Sequence, residues 1–506
     1  MPILSTFNTI LTWAMKKRIH QMELFMLFPM DVQKEVLVGL TKKAAKTEWG
    51  IKYGFKSISS IKQFQEQVPI STYEQLFPSI ERVMKGEKNI LWPTEIEWFS
   101  KSSGTTNAKS KFIPVSPEAL EDCHYKAGKD MLSLYVNNFP SRAPFTGKSL
   151  VLGGTHQVNH LNPKTSYGDV SGVIMENLPW WAQIIRTPSL KVALLDKWEE
   201  KIDMMVKETI TQNVTSLAGV PTWTLILLQK MLEVSGKKNI LEIWPNLEWF
   251  AHGAVAFDPY RDLFKQLIPS AGMNYQEVYN ASEGFFGIQD EPGRNDMLLM
   301  LDYGIFYEFI PMENWDDENP KTLTLEEIEL GKNYAVIIST NAGLWRYNLG
   351  DTVKFTSINP FRIKISGRTK HFINAFGEEL VIENADAAIT YACHETGAIL
   401  NNYTAAPIYF GKGNNGGHEW LIEFEKDPSD FTAFCRLLDQ KLKEVNSDYE
   451  AKRYQDIALS PPKVHHVEKG TFYNWMLKRN KIGGQHKVPR LSNTREYVDD
   501  ILVMLK

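Results

Sequence analysis

Short apolar runs alternate with helical stretches through the first two-thirds of the chain, and that alternation constrains the fold more than any other feature. Lys148–Gly153 is a strand-like run into a glycine turn, and Ser216–Val220 is ended by Pro221. Leu247–Ala251 and Tyr275–Val278 are two more, with helical periodicity over Leu190–Gln212 and Thr222–Ser235 between them. Strands alternating with helices predict βαβ crossovers, hence an α/β fold whose sheet is covered by helices on both faces. Met22–Lys46 carries apolar positions at helical spacing, and Tyr334–Ser339 reads as another strand.

A chain of 506 residues exceeds one hydrophobic core, so two or three domains are expected. Phe361–Ser366 alternates apolar and polar as a strand does, and Gly367-Arg368 follows it. Beyond that point an α+β pattern restarts, with helices over Leu380–His394 and Phe431–Asn446 and a strand at Trp420–Phe424. The tail after Pro461-Pro462 reads as extended and basic. The expected organisation is a large α/β domain over 1–366, a hinge over 367–371 and a smaller mobile α+β domain over 372–506.

The balance of 56 Lys+Arg against 60 Asp+Glu gives a net charge of −4, without the basic footprint of a nucleic-acid binder. Cys123, Cys393 and Cys435 are odd in number, far apart and free of CxxC spacing, so neither a disulfide scaffold nor a zinc site is expected. A reducing, cytoplasmic setting follows. Residues 1–15 are moderately apolar, but their positive cluster Lys16-Lys17-Arg18 follows the run, and Ser5, Thr6, Asn8, Thr9 and Thr12 interrupt it. An amphipathic helix fits better than a signal or membrane anchor.

Several motifs fail on context. Thr146-Gly-Lys-Ser149 lacks the first glycine of a phosphate loop and precedes a strand instead of a helix. Gly411-Lys-Gly-Asn-Asn-Gly416 matches GxGxxG but lies between two strand-like runs, as a hairpin loop does. His156 and His160 fall in a glycine- and proline-flanked loop without a third metal ligand nearby.

One segment stands apart. Ser102, Ser103, Gly104, Thr105 and Thr106 cannot build a core, but their backbone N–H groups and hydroxyls can curl around phosphate oxygens. Lys109 and Lys111 add point charges behind them. In Val278-Tyr-Asn-Ala-Ser-Glu-Gly284 a strand ends with Tyr279, able to stack on a base, Ser282, able to contact phosphate, and Glu283, able to hold Mg²⁺. Trp345-Arg-Tyr-Asn-Leu-Gly-Asp351 ends in an acid suited to gripping two ribose hydroxyls.

Ser102-Ser-Gly-Thr-Thr106 with its trailing lysine, Tyr279-x-x-Ser-Glu-Gly284, and Tyr347-x-x-Gly-Asp351 followed by Gly367-Arg-Thr-Lys-His-Phe372 resemble the adenylate-forming superfamily. Within it, Gly219-Val-Pro221, Phe250-Ala-His-Gly-Ala254, Phe376-Gly-Glu378 and Gln485-His-Lys-Val-Pro-Arg490 are similar to the Gretchen Hagen acyl-acid amido synthetases, auxin-responsive in plants, in their bacterial type. The resemblance runs from about Lys101 to Arg490. It implies a ligase using ATP and Mg²⁺ that makes an acyl-adenylate from a small carboxylic acid and passes the acyl group to an amino acid amine. It also implies the site. Ser102 to Thr106 would form the phosphate loop and Lys111 its trailing base, with Tyr279 under adenine, Ser282 on phosphate and Glu283 on Mg²⁺. Asp351 would hold the ribose, Arg368 would reach the nucleotide, and Lys487 would approach the α-phosphate and carboxylate. Lys487, Lys111 and Glu283 are the catalytic candidates. Asn348 stands where relatives often carry arginine; either Arg346 compensates or that contact is absent.

The acyl pocket is expected near the strand ends at Gly219 and Gly253, with Val220, Trp223, Gly253, Ala254 and Phe285 lining it and Trp180, Trp181 and Phe286 as further aromatic candidates. Two other functions compete: thioester formation with coenzyme A, and nucleotide binding without catalysis. The partners expected are small molecules, not nucleic acid or membrane.

Overall fold

A computed structural model describes residues 17–102, 111–142, 146–153, 159–178, 180–195, 197–255, 257, 260–315, 317–369, 372–378, 380–410, 416–453, 459–479 and 488–505. An 11-stranded sheet organises the first two-thirds of the chain. Across it run Ile305–Pro311, Asn333–Thr340, Tyr347–Ile358, Phe361–Arg368, Met297–Leu299, Gly284–Ile288, Asn274–Ala281, Trp249–Gly253, Val214–Gly219, Lys148–Leu152 and Arg186–Thr187. From Asn274–Ala281 to Arg186–Thr187 every pairing is parallel. From the same strand to Ile305–Pro311 every pairing is antiparallel. The βαβ expectation therefore holds for half the sheet, and the other half is a meander of antiparallel neighbours.

The parallel half is covered on both faces. Leu150, Leu217 and Phe250 pack with Leu225, Leu228 and Met231 of helix Pro221–Ser235 and with Phe264 on one side. That helix starts on Pro221, whose fixed φ suits a first helical position, and stops at Gly236 with φ 66°. On the other side lies helix Lys126–Asn138, where Tyr135 stacks on Trp249 with ring centroids 4.8 Å apart. The antiparallel half packs against the N-terminal helices, including Pro29–Ala44 and Tyr73–Met84. Pro29 divides the expected long helix here, with residues 17–27 helical before it. The Leu190–Gln212 stretch likewise forms two helices, Leu190–Ala193 and Trp198–Thr209. Residues 1–15, read as an amphipathic helix, lie outside the described residues.

A smaller sheet, Lys111–Val115, Trp98–Ser102, Thr165–Gly168 and Asn159–Asn162 in that order, adjoins the large one. The last third of the chain has its own three-stranded sheet, Ile399–Ile408, Gly417–Lys426 and Lys463–Val467. Helices Ile382–Thr396 and Phe431–Val445 pack together beside it. The first two strands pair antiparallel, as a hairpin does, while residues 411–415 of the loop lie outside the described residues. Among the described residues, the tail after Pro462 is extended only over Lys463–Val467. It forms a strand and two helices, Thr471–Lys478 and Glu496–Met504, with Phe472, Trp475, Val498 and Ile501 buried between them and the sheet.

One apolar cluster runs unbroken from Leu217, Phe250 and Tyr260 into Phe376, Ala388 and Trp420. Tyr260 also donates to the Ala375 carbonyl at 2.7 Å. The cysteines are unpaired, and no helix among the described residues is long and apolar enough to cross a membrane.

Candidate functional site

Three adjacent parallel strands end on the same edge of the sheet, at Leu152, Gly219 and Gly253. The fourth, Asn274–Ala281, is the strand at which parallel pairing gives way to antiparallel. In the parallel half the strand order reverses at Lys148–Leu152, which has Arg186–Thr187 on one side and Val214–Gly219 on the other, and open α/β sheets take their ligands at the carboxyl ends of the strands beside such a reversal. Two glycines keep that edge low. A Cβ on Gly253 would lie 2.5 Å from the Val278 carbonyl oxygen, and one on Gly219 would lie 2.7 Å from that of Leu152. The edge opens into a cavity of about 1080 Å³.

Four segments bring polar groups to this cavity. Asn274–Ala281 carries Tyr279, and the turn after it carries Ser282 and Glu283. The Tyr279 hydroxyl donates to Asp351 Oδ2 at 2.6 Å. Asp351 Oδ1 meets Arg368 Nε at 2.9 Å, because the hairpin of Tyr347–Ile358 with Phe361–Arg368 makes those two residues ladder partners. Burial pushes the Tyr279 phenol well up and the neighbouring Asp351 charge adds to it, so the phenol keeps its proton and donates. Ser282 Oγ accepts from Ser100 at 2.9 Å.

Glu283 is half-buried, and its Oε1 accepts from the Tyr347 hydroxyl at 3.2 Å. That hydroxyl in turn accepts from Lys111 Nζ at 3.5 Å, so Lys111, Tyr347 and Glu283 form one chain. Burial raises the Glu283 carboxyl, Lys111 opposes that, and Asp351 adds to it. Among the described residues no three His, Cys, Asp or Glu side chains gather as a metal cage. A single carboxylate fits Mg²⁺, which completes its shell with phosphate oxygens and water.

Ser102 and Lys111 are ladder partners on strands Trp98–Ser102 and Lys111–Val115, and both line the cavity. Ser103, Gly104, Thr105 and Thr106 between them lie outside the described residues, as does Lys487. Val220, Trp223, Gly253, Ala254 and Phe285 all border the cavity. Ala254 holds φ at 71°, a conformation costing about 1–2 kcal/mol for a residue with a Cβ. Phe285 belongs largely to the core, its N–H donating to Cys123 Sγ at 3.2 Å. Phe286 is core outright, packed on Tyr279 and Tyr307, and Trp180 is 76% exposed on the surface. The Trp181 side chain lies outside the described residues.

Arg346 does not reach the nucleotide side. It is buried, paired with Glu308 through two bonds of 2.9 Å, and donates to the carbonyls of Gln65 and Val68. Tyr347, which links Lys111 to Glu283, escaped the sequence reading although it heads the Tyr-x-x-Gly-Asp motif. The C-terminal unit also supplies part of the wall, through Gly377, Tyr409, Asp448 and Lys452. Lys452, on helix Ser447–Arg453, places its ammonium 4.3 Å from the Trp223 ring centroid. No local signal in the sequence marks that meeting.

Comparison with known proteins agrees with this architecture. The chain matches the GH3 family N-terminal domain over 18–273, the central domain over 298–368 and the C-terminal domain over 383–496, and it belongs to the GH3 family. Its relatives include indole-3-acetic acid-amido synthetase GH3.3 of Arabidopsis thaliana, 24% identical over 91% of this chain and 89% of that one. Another is the 4-substituted benzoates-glutamate ligase GH3.12 of the same plant, 23% identical over 84% and 87%. Among solved structures, the AtGH3.15 acyl acid amido synthetase in complex with 2,4-DB superposes with a TM-score of 0.59 at 17% identity, over 94% of this chain and 93% of that one. A 2-hydroxyisobutyryl-CoA ligase holding 2-HIB-AMP and CoA gives 0.53 at 14% identity, over 94% and 91%. The mixed α/β fold, with a large N-terminal sheet domain and a smaller C-terminal one, is thus a GH3 fold.

Proposed function

We propose that this chain is an AMP-forming ligase that activates a small carboxylic acid with ATP and joins the acyl group to an amino acid amine. One observation carries the reading: Lys111, Glu283, Asp351 and Arg368, from four separate segments, ring one cavity at the strand ends. A carboxylate resists attack because its leaving group would be oxide. In the first step a carboxylate oxygen attacks the α-phosphorus, pyrophosphate leaves, and a mixed anhydride forms. In the second step the amine attacks the acyl carbon, loses a proton, and AMP leaves.

Lys111 offsets phosphate charge, and preorganised charges of this kind give a large share of transition-state stabilisation. Mg²⁺ held at Glu283 would neutralise the departing pyrophosphate. Asp351 has two of its four lone-pair positions taken by Tyr279 and Arg368, which leaves two for ribose hydroxyls. The phosphate-loop role of Ser102 to Thr106 and the approach of Lys487 belong to the same reading. So does a division at 367–371, with 372–506 closing over the cavity and excluding water from the anhydride.

Pyrophosphate release across a panel of carboxylic acids, with hydroxylamine trapping of the acyl-adenylate, tests the first step. Crossing the active acids with the twenty amino acids and reading products by mass spectrometry tests the second. Amide products are expected. No release with any acid would leave a nucleotide-binding protein, and thioester products with coenzyme A would replace the amine as acceptor.

A further inference from the structure

Below the strand ends the cavity continues along one face of the parallel half-sheet. Arg186, Ser149, Ser216 and Trp249 lie in one row there, each the ladder partner of the next. Ladder partners share a face, and all four residues border the cavity. The row above is small and apolar, with Val151, Ala218 and Ala251 in register. On this sheet face the cavity wall is therefore apolar next to the strand ends and polar in the row below.

Arg186 is 7% exposed. Its Nε and Nη2 donate to Gln183 Oε1 at 3.2 and 2.9 Å, and Nη1 reaches Met175 Sδ at 3.7 Å. None of these partners is charged. The other buried arginines each hold a carboxylate: Arg346 has Glu308, Arg362 has Asp290 and Arg453 has Asp439. Glu208, whose charge acts on Arg186 from a distance, is occupied on Ser189. A buried charge is normally paired because desolvating it alone is expensive. Among the described residues no carboxylate bonds Arg186, and the cation borders the cavity.

We propose that Arg186, with the Ser149 and Ser216 hydroxyls, receives a second carboxylate at the far end of the acyl substrate, so that the preferred acids are dicarboxylic. This rests on the acid-activating reading above. Arg186 pairs with Ser149, which lies three residues below the strand end at Leu152, about 10 Å at roughly 3.3 Å per residue, and the Arg186 side chain spans the strand-to-strand offset of about 4.8 Å. An extended chain gains roughly 1.2 Å per bond, so about eight to ten carbons span the distance along the strand. A distal contact made equally in ground and transition states is expressed in KM more than in kcat.

The test pairs octanedioate with octanoate on the full-length protein, by ATP–pyrophosphate exchange and, without ATP, by calorimetric titration. The wild type is expected to favour the diacid by about 10- to 100-fold in KM and Kd, the range for one charge-assisted site. Arg186→Met should lose that preference while octanoate is held as well as before, and Arg186→Lys should keep part of it. Should Arg186→Met fail to fold, Ser216→Val, which fills the same row without removing the charge, must weaken the diacid selectively. Equal treatment of the two acids by the wild type overturns the inference. So does an equal loss of both acids in Arg186→Met at an unchanged melting temperature. Diacid-selective binding without exchange would instead overturn the ligase reading and leave the second-carboxylate site standing.

Discussion

Replacing Asp351 by asparagine removes a charge and almost no volume, which makes it the sharpest probe of the ribose role. Both carboxylate oxygens are engaged, Oδ1 by Arg368 Nε and Oδ2 by the Tyr279 hydroxyl. An amide can keep its oxygen towards only one of these donors. Turned towards Arg368, it sets its NH₂ against Tyr279, whose hydroxyl can reverse and accept. The local frame therefore survives, while one of the two lone-pair directions left for ribose is replaced by an N–H. Hydrogen bonds to a charged group contribute about 1.5–3 kcal/mol, which corresponds to roughly 10- to 150-fold in the KM for ATP. The Arg368 side chain is 22% exposed, so solvent screening keeps the cost to the free protein small, at most a few degrees in Tm. ATP-dependent pyrophosphate exchange at saturating acid, with calorimetric titration of ATP, reads the binding effect, and a thermal melt reads stability. Tyr279→Phe closes a double-mutant cycle and should couple to Asp351→Asn by more than about 0.5 kcal/mol, as contacting residues do. An unchanged ATP KM in a variant that melts many degrees lower would refute the argument and leave Asp351 as a clamp for Tyr279 and Arg368.

Lys111→Ala and Glu283→Ala should each slow exchange on the order of 10²–10³-fold at unchanged Tm; normal exchange in both would remove the Lys111–Tyr347–Glu283 chain from the chemistry. Arg346→Met strands Glu308 in the core and should destabilise the chain by about 3–5 kcal/mol in urea unfolding, with Glu308→Leu in the same chain restoring much of it. Glu419 is buried, which by itself raises its carboxyl, yet bonds from Lys463, His465 and Arg495 bring it down to about 2 from an ordinary 4.5. A carboxylate lowered in the folded state adds stability above its unfolded value and loses it as pH falls through the folded one. Wild-type Tm should therefore fall more steeply than that of Glu419→Gln between pH 4.5 and about 2; parallel curves would show that the cluster contributes nothing.

The parallel strands were readable because crossover helices separate them and glycine or proline punctuates their ends, as at Pro221. The antiparallel half was harder. Gly284–Ile288 and Met297–Leu299 are buried on both faces, so they show no alternation, and each is too short for length to decide. The helices beyond Pro462 were missed because tertiary contacts hold them: Trp475 Nε1 and Arg479 both bond Asp500 across the pair. Motif residues such as Glu283 and Asp351 announce themselves through spacing, whereas Arg346 looked available only because its partner Glu308 lies 38 residues away. Arg186 gave no signal at all. An arginine in a sequence is unremarkable until every carboxylate around it is accounted for.

The Lys452 ammonium over the Trp223 ring makes the seam between the two units optically visible. Emission from an indole depends on the charge at its face and on whether water reaches it. Turning helix Ser447–Arg453 away from helix Pro221–Ser235 would lift the cation and wet the ring, shifting its fluorescence to the red. The spectrum of the chain minus that of Trp223→Phe isolates this indole from the other tryptophans. Followed in stopped flow after ATP, then acid, then amine, it times any parting of the units against each chemical step without an attached dye, and a trace that stays flat while product forms means that they react without parting.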